Sequence, residues 1–129
     1  MDTKIELLKQ VPLFADASPS ELREIASRAD EIDVPAGYTL TREGDRGREF
    51  VVLVEGSATV ENEGRVIATL RDGDFLGEIA LLLYTSRTAT VRTTSPSRLL
   101  VVNERDFRML VDEVPSFGRE VYAAASARI

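Results

Sequence analysis

Between Ile32 and Val102 the chain is a series of short β-prone runs, at residues 31–34, 39–42, 49–54, 58–62, 65–70, 89–94 and 97–102, parted by glycine-bearing turns. Several strands of this kind at about ten-residue spacing suggest an antiparallel sandwich or barrel. A two-sheet jelly roll, the double-stranded β-helix, accommodates the whole series. The turns carry Gly37, Gly44, Gly47, Gly56, Gly64 and Gly73, read as hairpin formers because glycine accepts a positive φ at little cost.

Helical signals flank the β region on both sides. Ile5, Leu7 and Leu8 share a short helical face that Val11-Pro12-Leu13-Phe14 interrupts. Ser18, Pro19 and Glu21 then form a capping box with proline at the first helical position, and Leu22, Ile25 and Ala26 follow at helical spacing, which predicts a helix over 19–29. After the strands, Asn103 is placed to cap a helix through Val111 carrying Phe107, Leu110 and Val111 on one side. Pro115 ends it, and Ser116 is read as the cap of a last helix over 117–129. Phe117, Val121, Ala124, Ala125 and Ile129 form one stripe of that helix, with Tyr122 projecting elsewhere. The expected class is mainly β with flanking helices. One domain fills residues 1–129, with helices at about 4–29, the sandwich at about 31–102 and C-terminal helices at about 104–129.

Composition removes several functions. The 129 residues include no cysteine and no histidine, so disulfides, thiolate chemistry, the commonest metal ligand and the commonest general base are all missing. Asp72 and Asp74 flank Gly73 and are read as turn formers and not as a metal pair, so no catalytic and no metal site is expected. A net charge of −6 and a pI near 4.7 repel nucleic acid and anionic membrane. No apolar run approaches the roughly 18 residues of a membrane span, and an N-terminus bearing Asp2 and Glu6 is unlike a signal peptide. A soluble, cytoplasmic protein without direct nucleic-acid or membrane partners is expected.

One stretch carries chemistry. Gly77 precedes a short apolar run whose first-turn amides lack intrahelical acceptors and so favour an anion. Nine residues beyond Glu78 stands Arg87, whose planar guanidinium can donate in parallel to two oxygens of one phosphate, with Thr88 beside it. A carboxylate such as Glu78 suits a phosphate site only if the ligand brings it a donor, and a ribose hydroxyl is one. Glu78 and Arg87 could otherwise be a surface ion pair across a loop, but that reading leaves the Gly77, the apolar run and the spacing unexplained.

The segment Asp72-Gly73-Asp74-Phe75-Leu76-Gly77-Glu78-Ile79-Ala80-Leu81-Leu82-Leu83-Tyr84-Thr85-Ser86-Arg87-Thr88-Ala89-Thr90-Val91 resembles the phosphate-binding cassette of cyclic nucleotide-binding domains, such as those of catabolite activators and protein kinase A regulatory subunits. Phe50-Val51-Val52-Leu53-Val54-Glu55-Gly56-Ser57 is similar to the strand and turn that these domains place ahead of the cassette, and the likeness covers about residues 5–122. It implies a jelly roll with C-terminal B and C helices and a cassette at 76–91. Within that cassette it assigns Glu78 to the ribose 2′-hydroxyl and Arg87 to the exocyclic oxygens of the cyclic phosphate. The amides near Gly77, Ile79, Ala80, Thr88 and Ala89 would meet the remaining oxygens, and Leu76 would pack on sugar and base. Many family members have proline before the arginine, where this chain has Ser86.

The resemblance further implies a cyclic nucleotide receptor, with cAMP favoured and cGMP open because Thr88 follows the arginine. Tyr122 and Arg128 are candidate lids over the base, and the alanine-rich stripe of the last helix is a candidate homodimer seam. The expected output is a movement of the C-terminal helices read by a protein effector. Two alternatives stand beside it: a nucleotide-independent interaction module of the same fold, and the sensor half of a larger transcription regulator or kinase regulatory protein.

Overall fold

The computed structural model describes residues 3–128. Eight strands form two antiparallel four-stranded sheets. They are β1 (Asp30–Val34), β2 (Thr39–Thr41), β3 (Glu49–Glu55), β4 (Ser57–Asn62), β5 (Arg65–Arg71), β6 (Phe75–Leu76), β7 (Thr90–Thr93) and β8 (Ser97–Asn103). One sheet has the order β1-β8-β3-β6 and the other β2-β7-β4-β5. The seven expected strands are all present, and the addition is β6, whose two residues are too few to show a period of two.

Strand β3 shows why the first sheet is the centre of the molecule. Its interior, Phe-Val-Val-Leu-Val, is buried at every position. Since side chains alternate across a sheet, Phe50, Val52 and Val54 enter one core with the helices, while Val51 and Leu53 enter a second between the sheets. Strand β8 divides likewise, sending Leu100 and Val102 to the helices and Leu99 and Val101 to the sandwich interior. An unbroken apolar run is what a strand covered on both faces requires.

The helices α1 (Thr3–Lys9), α2 (Pro19–Arg28), α4 (Glu104–Glu113) and α5 (Pro115–Arg128) close over the outer face of that sheet, whereas α3 (Glu78–Leu83) lies between β6 and β7. A 3₁₀ turn at Pro12–Phe14 follows extended Val11, the conformation a residue before proline prefers. The Ser18 capping box forms as expected: the Glu21 amide donates to Ser18 Oγ at 3.2 Å and the Ser18 amide to Glu21 Oε1 at 2.9 Å. Asn103 Oδ1 accepts from the Asp106 amide at 2.8 Å and caps α4.

Helix α5 departs from expectation at its start. It begins at Pro115, so Ser116 lies inside the first turn and caps nothing; its hydroxyl donates instead to Glu21 Oε2 at 3.1 Å. The stripe of α5 also has an occupant already. Phe117, Val121 and Ala125 are buried, with Phe117 and Val121 in the same core as Phe50 and Phe107, so these three pack within the chain, while Ala124 of the same stripe is half-buried. Ile129, assigned to the stripe, lies outside the described residues. Gly118 allows the close crossing of α4 and α5, since a Cβ there would stand 2.7 Å from the Val111 carbonyl oxygen.

Candidate functional site

The site begins with a backbone reversal. Between β6 and α3, Gly77 takes φ = 104°, and a Cβ on it would fall 2.6 Å from the Glu49 carbonyl oxygen and 2.8 Å from Arg87 Nη1. Only glycine combines this conformation with an arginine pressed against its α-carbon. Arg87 uses Nη2 to donate to Glu49 O at 2.6 Å, while its Nη1 is buried without a partner. Burial pushes its guanidinium below the ordinary value, and the Glu49 and Glu78 carboxylates oppose that shift.

The segment around Arg87 is held at successive carbonyls. Gly44 N donates to Arg87 O at 2.9 Å, Asn62 Nδ2 to Thr88 O at 2.8 Å and Thr41 Oγ1 to Ala89 O at 3.0 Å, while the Arg87 amide donates to Asp45 O at 2.6 Å. Strands β2 and β4 and the loop after β2 therefore grip the cassette before any ligand contact is made. Gly47 belongs to this grip. Read from the sequence as a hairpin former, it has no positive φ; a Cβ there would stand 2.6 Å from Ala80 Cβ and 3.4 Å from the Arg87 guanidinium. Its role is close packing against the cassette.

Glu78 opens α3 and is only 1 % exposed, unusual for a carboxylate. Oε1 accepts from Arg128 Nη1 at 2.5 Å, and Oε2 is buried without a partner. Those two atoms, Glu78 Oε2 and Arg87 Nη1, are the buried side-chain polar atoms without a hydrogen bond among the described residues. Buried polar groups are almost always paired, so an orphan acceptor and an orphan donor in one cavity call for a third party. Asp72 and Asp74 are differently employed: Asp74 accepts from the Arg71 amide at 2.8 Å within its own turn, and Asp72 accepts from the Gly56 amide at 2.7 Å, tying that turn to the one between β3 and β4.

The cavity measures about 370 Å³, within the range of small-molecule sites. Leu76, Gly77, Glu78, Ile79, Ala80, Arg87, Thr88 and Ala89, the eight residues singled out in the sequence, all line it. Arg128 joins them from α5, its guanidinium 4.9 Å over the Phe75 ring. Tyr122, the other candidate lid, is 56 % exposed and does not reach the cavity, because the burial of Phe117, Val121 and Ala125 turns it outward. Val60, Ile67, Leu70 and Phe75 supply the apolar wall and were not singled out, since hydrophobic strand residues look alike whether they face a core or a ligand. The arrangement suits a ligand with an anionic group at Arg87, a hydroxyl at Glu78 and a flat apolar part against β4 and β5.

A jelly roll with an anion and hydroxyl cavity built on a strand–glycine–helix cassette defines a class of small-ligand receptor. The particular family follows from comparison: the model of the cyclic nucleotide-binding domain matches residues 31–114, and the chain belongs to that family. It is 32 % identical over 106 residues to the cAMP-dependent protein kinase regulatory subunit of Schizosaccharomyces pombe, covering 81 % of this chain and 26 % of the relative. Against a cyclic nucleotide-gated potassium channel of Mesorhizobium japonicum it is 36 % identical over 110 residues, covering 85 % and 30 %. The regulatory domain of Toxoplasma gondii PKA with cAMP superimposes with a TM-score of 0.73 at 28 % identity, covering 83 % of this chain and 42 % of that one. The second cyclic nucleotide domain of a PKA regulatory subunit, bound to Sp-2Cl-cAMPS, gives 0.79 at 26 % identity, covering 96 % and 88 %. The chain thus spans between a quarter and a third of the length of these curated relatives. Among the described residues no helix is long and apolar enough to cross a membrane.

Proposed function

We propose that the protein is one cyclic nucleotide-binding domain that senses cAMP in preference to cGMP at the cassette cavity and signals through its C-terminal helices to a protein partner in the cytoplasm. The observation that carries this reading is the pair of buried orphans. Arg87 Nη1 is a donor awaiting an acceptor and Glu78 Oε2 an acceptor awaiting a donor. A cyclic phosphodiester answers the first and a ribose 2′-hydroxyl the second, and both groups belong to one small molecule. Helix α3 is only six residues long, so Arg87 supplies the formal charge and the amides of Gly77, Ile79, Ala80, Thr88 and Ala89 supply direction. Leu76 and the walls of β4 and β5 take the sugar and base.

A nucleotide would change the output only by favouring one arrangement of the helices over another. The route runs from the cassette to α5 through Glu78 and Arg128. The nucleotide-independent module is disfavoured, since a domain without a ligand gains nothing from keeping two buried groups unpaired.

Isothermal titration with cAMP and with cGMP tests the proposal, on protein freed of co-purified nucleotide and on Arg87→Ala and Glu78→Ala. Micromolar or tighter binding to the unaltered chain that collapses in both variants is expected. No heat from either nucleotide would sink it.

A further inference from the structure

We infer that Arg128 is a positioning residue for ribose recognition: by holding Oε1 of Glu78 it leaves Oε2 fixed to accept the ligand's 2′-hydroxyl, so that selectivity for that hydroxyl depends on the last turn of α5. The inference rests on the nucleotide reading of the cavity.

Three contacts anchor this guanidinium. Nη1 donates to Glu78 Oε1 and also to the Phe75 carbonyl oxygen, at 3.1 Å, and the charged group stands over the Phe75 ring. That ring packs on Phe50, 5.6 Å between centroids, which is wholly buried. Arg128 is thereby tied to the main core on one side and to the site on the other. Its placement follows from α5 itself. Phe117, Val121 and Ala125 fix the buried face of the helix, and Arg128, seven residues after Val121, emerges from the same face one turn beyond the core.

The Glu78 carboxylate has Arg128 as its hydrogen-bonded side-chain partner, since Arg87 spends Nη2 on Glu49 O and leaves Nη1 unbonded. Without Arg128 both oxygens would be free to turn about the terminal torsion, a soft and nearly two-fold one. With one oxygen held, the other has a defined direction, and a charge-assisted bond to a hydroxyl gains from that preorganisation. Arg128 therefore acts on the sugar through Glu78, in contrast to a lid that stacks on the base and would act alike on every ligand bearing that base.

Binding of cAMP and of 2′-deoxy-cAMP to the unaltered protein, to Arg128→Ala and to Arg128→Lys separates the two. The unaltered protein is expected to prefer the ribo ligand about tenfold or more, as a charge-assisted hydrogen bond implies. In Arg128→Ala the preference should shrink to about threefold or less, and Arg128→Lys, which keeps the charge without the fork, should recover part of it. Equal loss of affinity for both ligands, with the ratio unchanged, would overturn the positioning role. Failure of the unaltered protein to bind either ligand would overturn the receptor reading beneath it, a result distinct from an unchanged ratio.

Discussion

The helical half of the molecule and its cassette half treat polar groups in opposite ways. Where the helices meet, charges are paired across elements: Lys4 Nζ donates to the Ala26 and Ala29 carbonyls that end α2, and Arg28 binds Glu24 in its own helix and Asp106 in α4. Glu21 holds both the start of α2 and Ser116 of α5. In the cassette a half-buried arginine and a buried glutamate each keep one buried atom unpaired. The strands differ in parallel, since β3 is buried on both faces while Val66 and Ile67 of β5 are 58 and 62 % exposed, with Ile67 on the cavity wall. One half is built to be finished on folding; the other is left for a ligand to finish.

Truncating the finished half should cost most. Phe50 is fully buried and contacts the rings of Phe75, Phe107 and Phe117 at centroid distances of 5.6, 5.1 and 5.6 Å. Phe50→Ala is expected to lower unfolding free energy by about 3–5 kcal/mol, measured by denaturant titration. A loss below about 1 kcal/mol would show that this core is not where the stability lies.

Arg87→Ala probes the unfinished half and should invert the pattern. Removing this half-buried cation, whose Nη1 is unpaired, is expected to change stability by less than about 1 kcal/mol, because the freed Glu49 carbonyl belongs to an exposed residue. Affinity for cAMP should fall about a hundredfold, roughly 3 kcal/mol, by titration calorimetry. A large loss of stability at unchanged affinity would make Arg87 a structural residue and erase the contrast.

How far this division could be read in advance depended on the range of the interactions behind it. Glu78 and Arg87 lie in one segment and belong to residue types that seldom share a buried cavity without a ligand, so the chain itself displayed them. Strands β3 and β8 advertised burial on both faces through uninterrupted apolar runs. Gly47 and Gly118 gave no such signal: their lack of a side chain matters because of Ala80 and of the Val111 carbonyl, far away or on another helix. Tyr122 offered stacking chemistry but projects away from the Phe117–Val121–Ala125 stripe, whereas Arg128, seven residues from Val121, shares its phase.

Gly118→Ala sharpens the comparison because it strains the joint between the halves. The new methyl would meet the Val111 carbonyl at 2.7 Å, so α5 must shift. Overpacking costs about 1–3 kcal/mol, of which the better helix propensity of alanine offsets up to about 1. Since α5 also carries Arg128 to Glu78, a several-fold drop in cAMP affinity should accompany the thermal shift. Destabilisation with affinity intact would mean that the halves are not coupled through this helix.

The smallest effect concerns acid and is confined to the finished half. The Ser18 amide, with help from Ser116, holds the Glu21 carboxyl below its ordinary value of 4.5, against a smaller opposing effect of burial. A carboxylate favoured by the fold stabilises it above that value, and the contribution is lost as pH falls through the lowered folded one. Glu21→Gln retains a side chain able to complete the capping box but not to titrate. It should therefore change stability little in acid and remove a small stabilisation near pH 7, giving a shallower loss of stability as pH is lowered below about 4.5. Its affinity for cAMP at neutral pH should match that of the unaltered protein, because Glu21 is bonded to Ser18 and Ser116, neither of which lines the cavity.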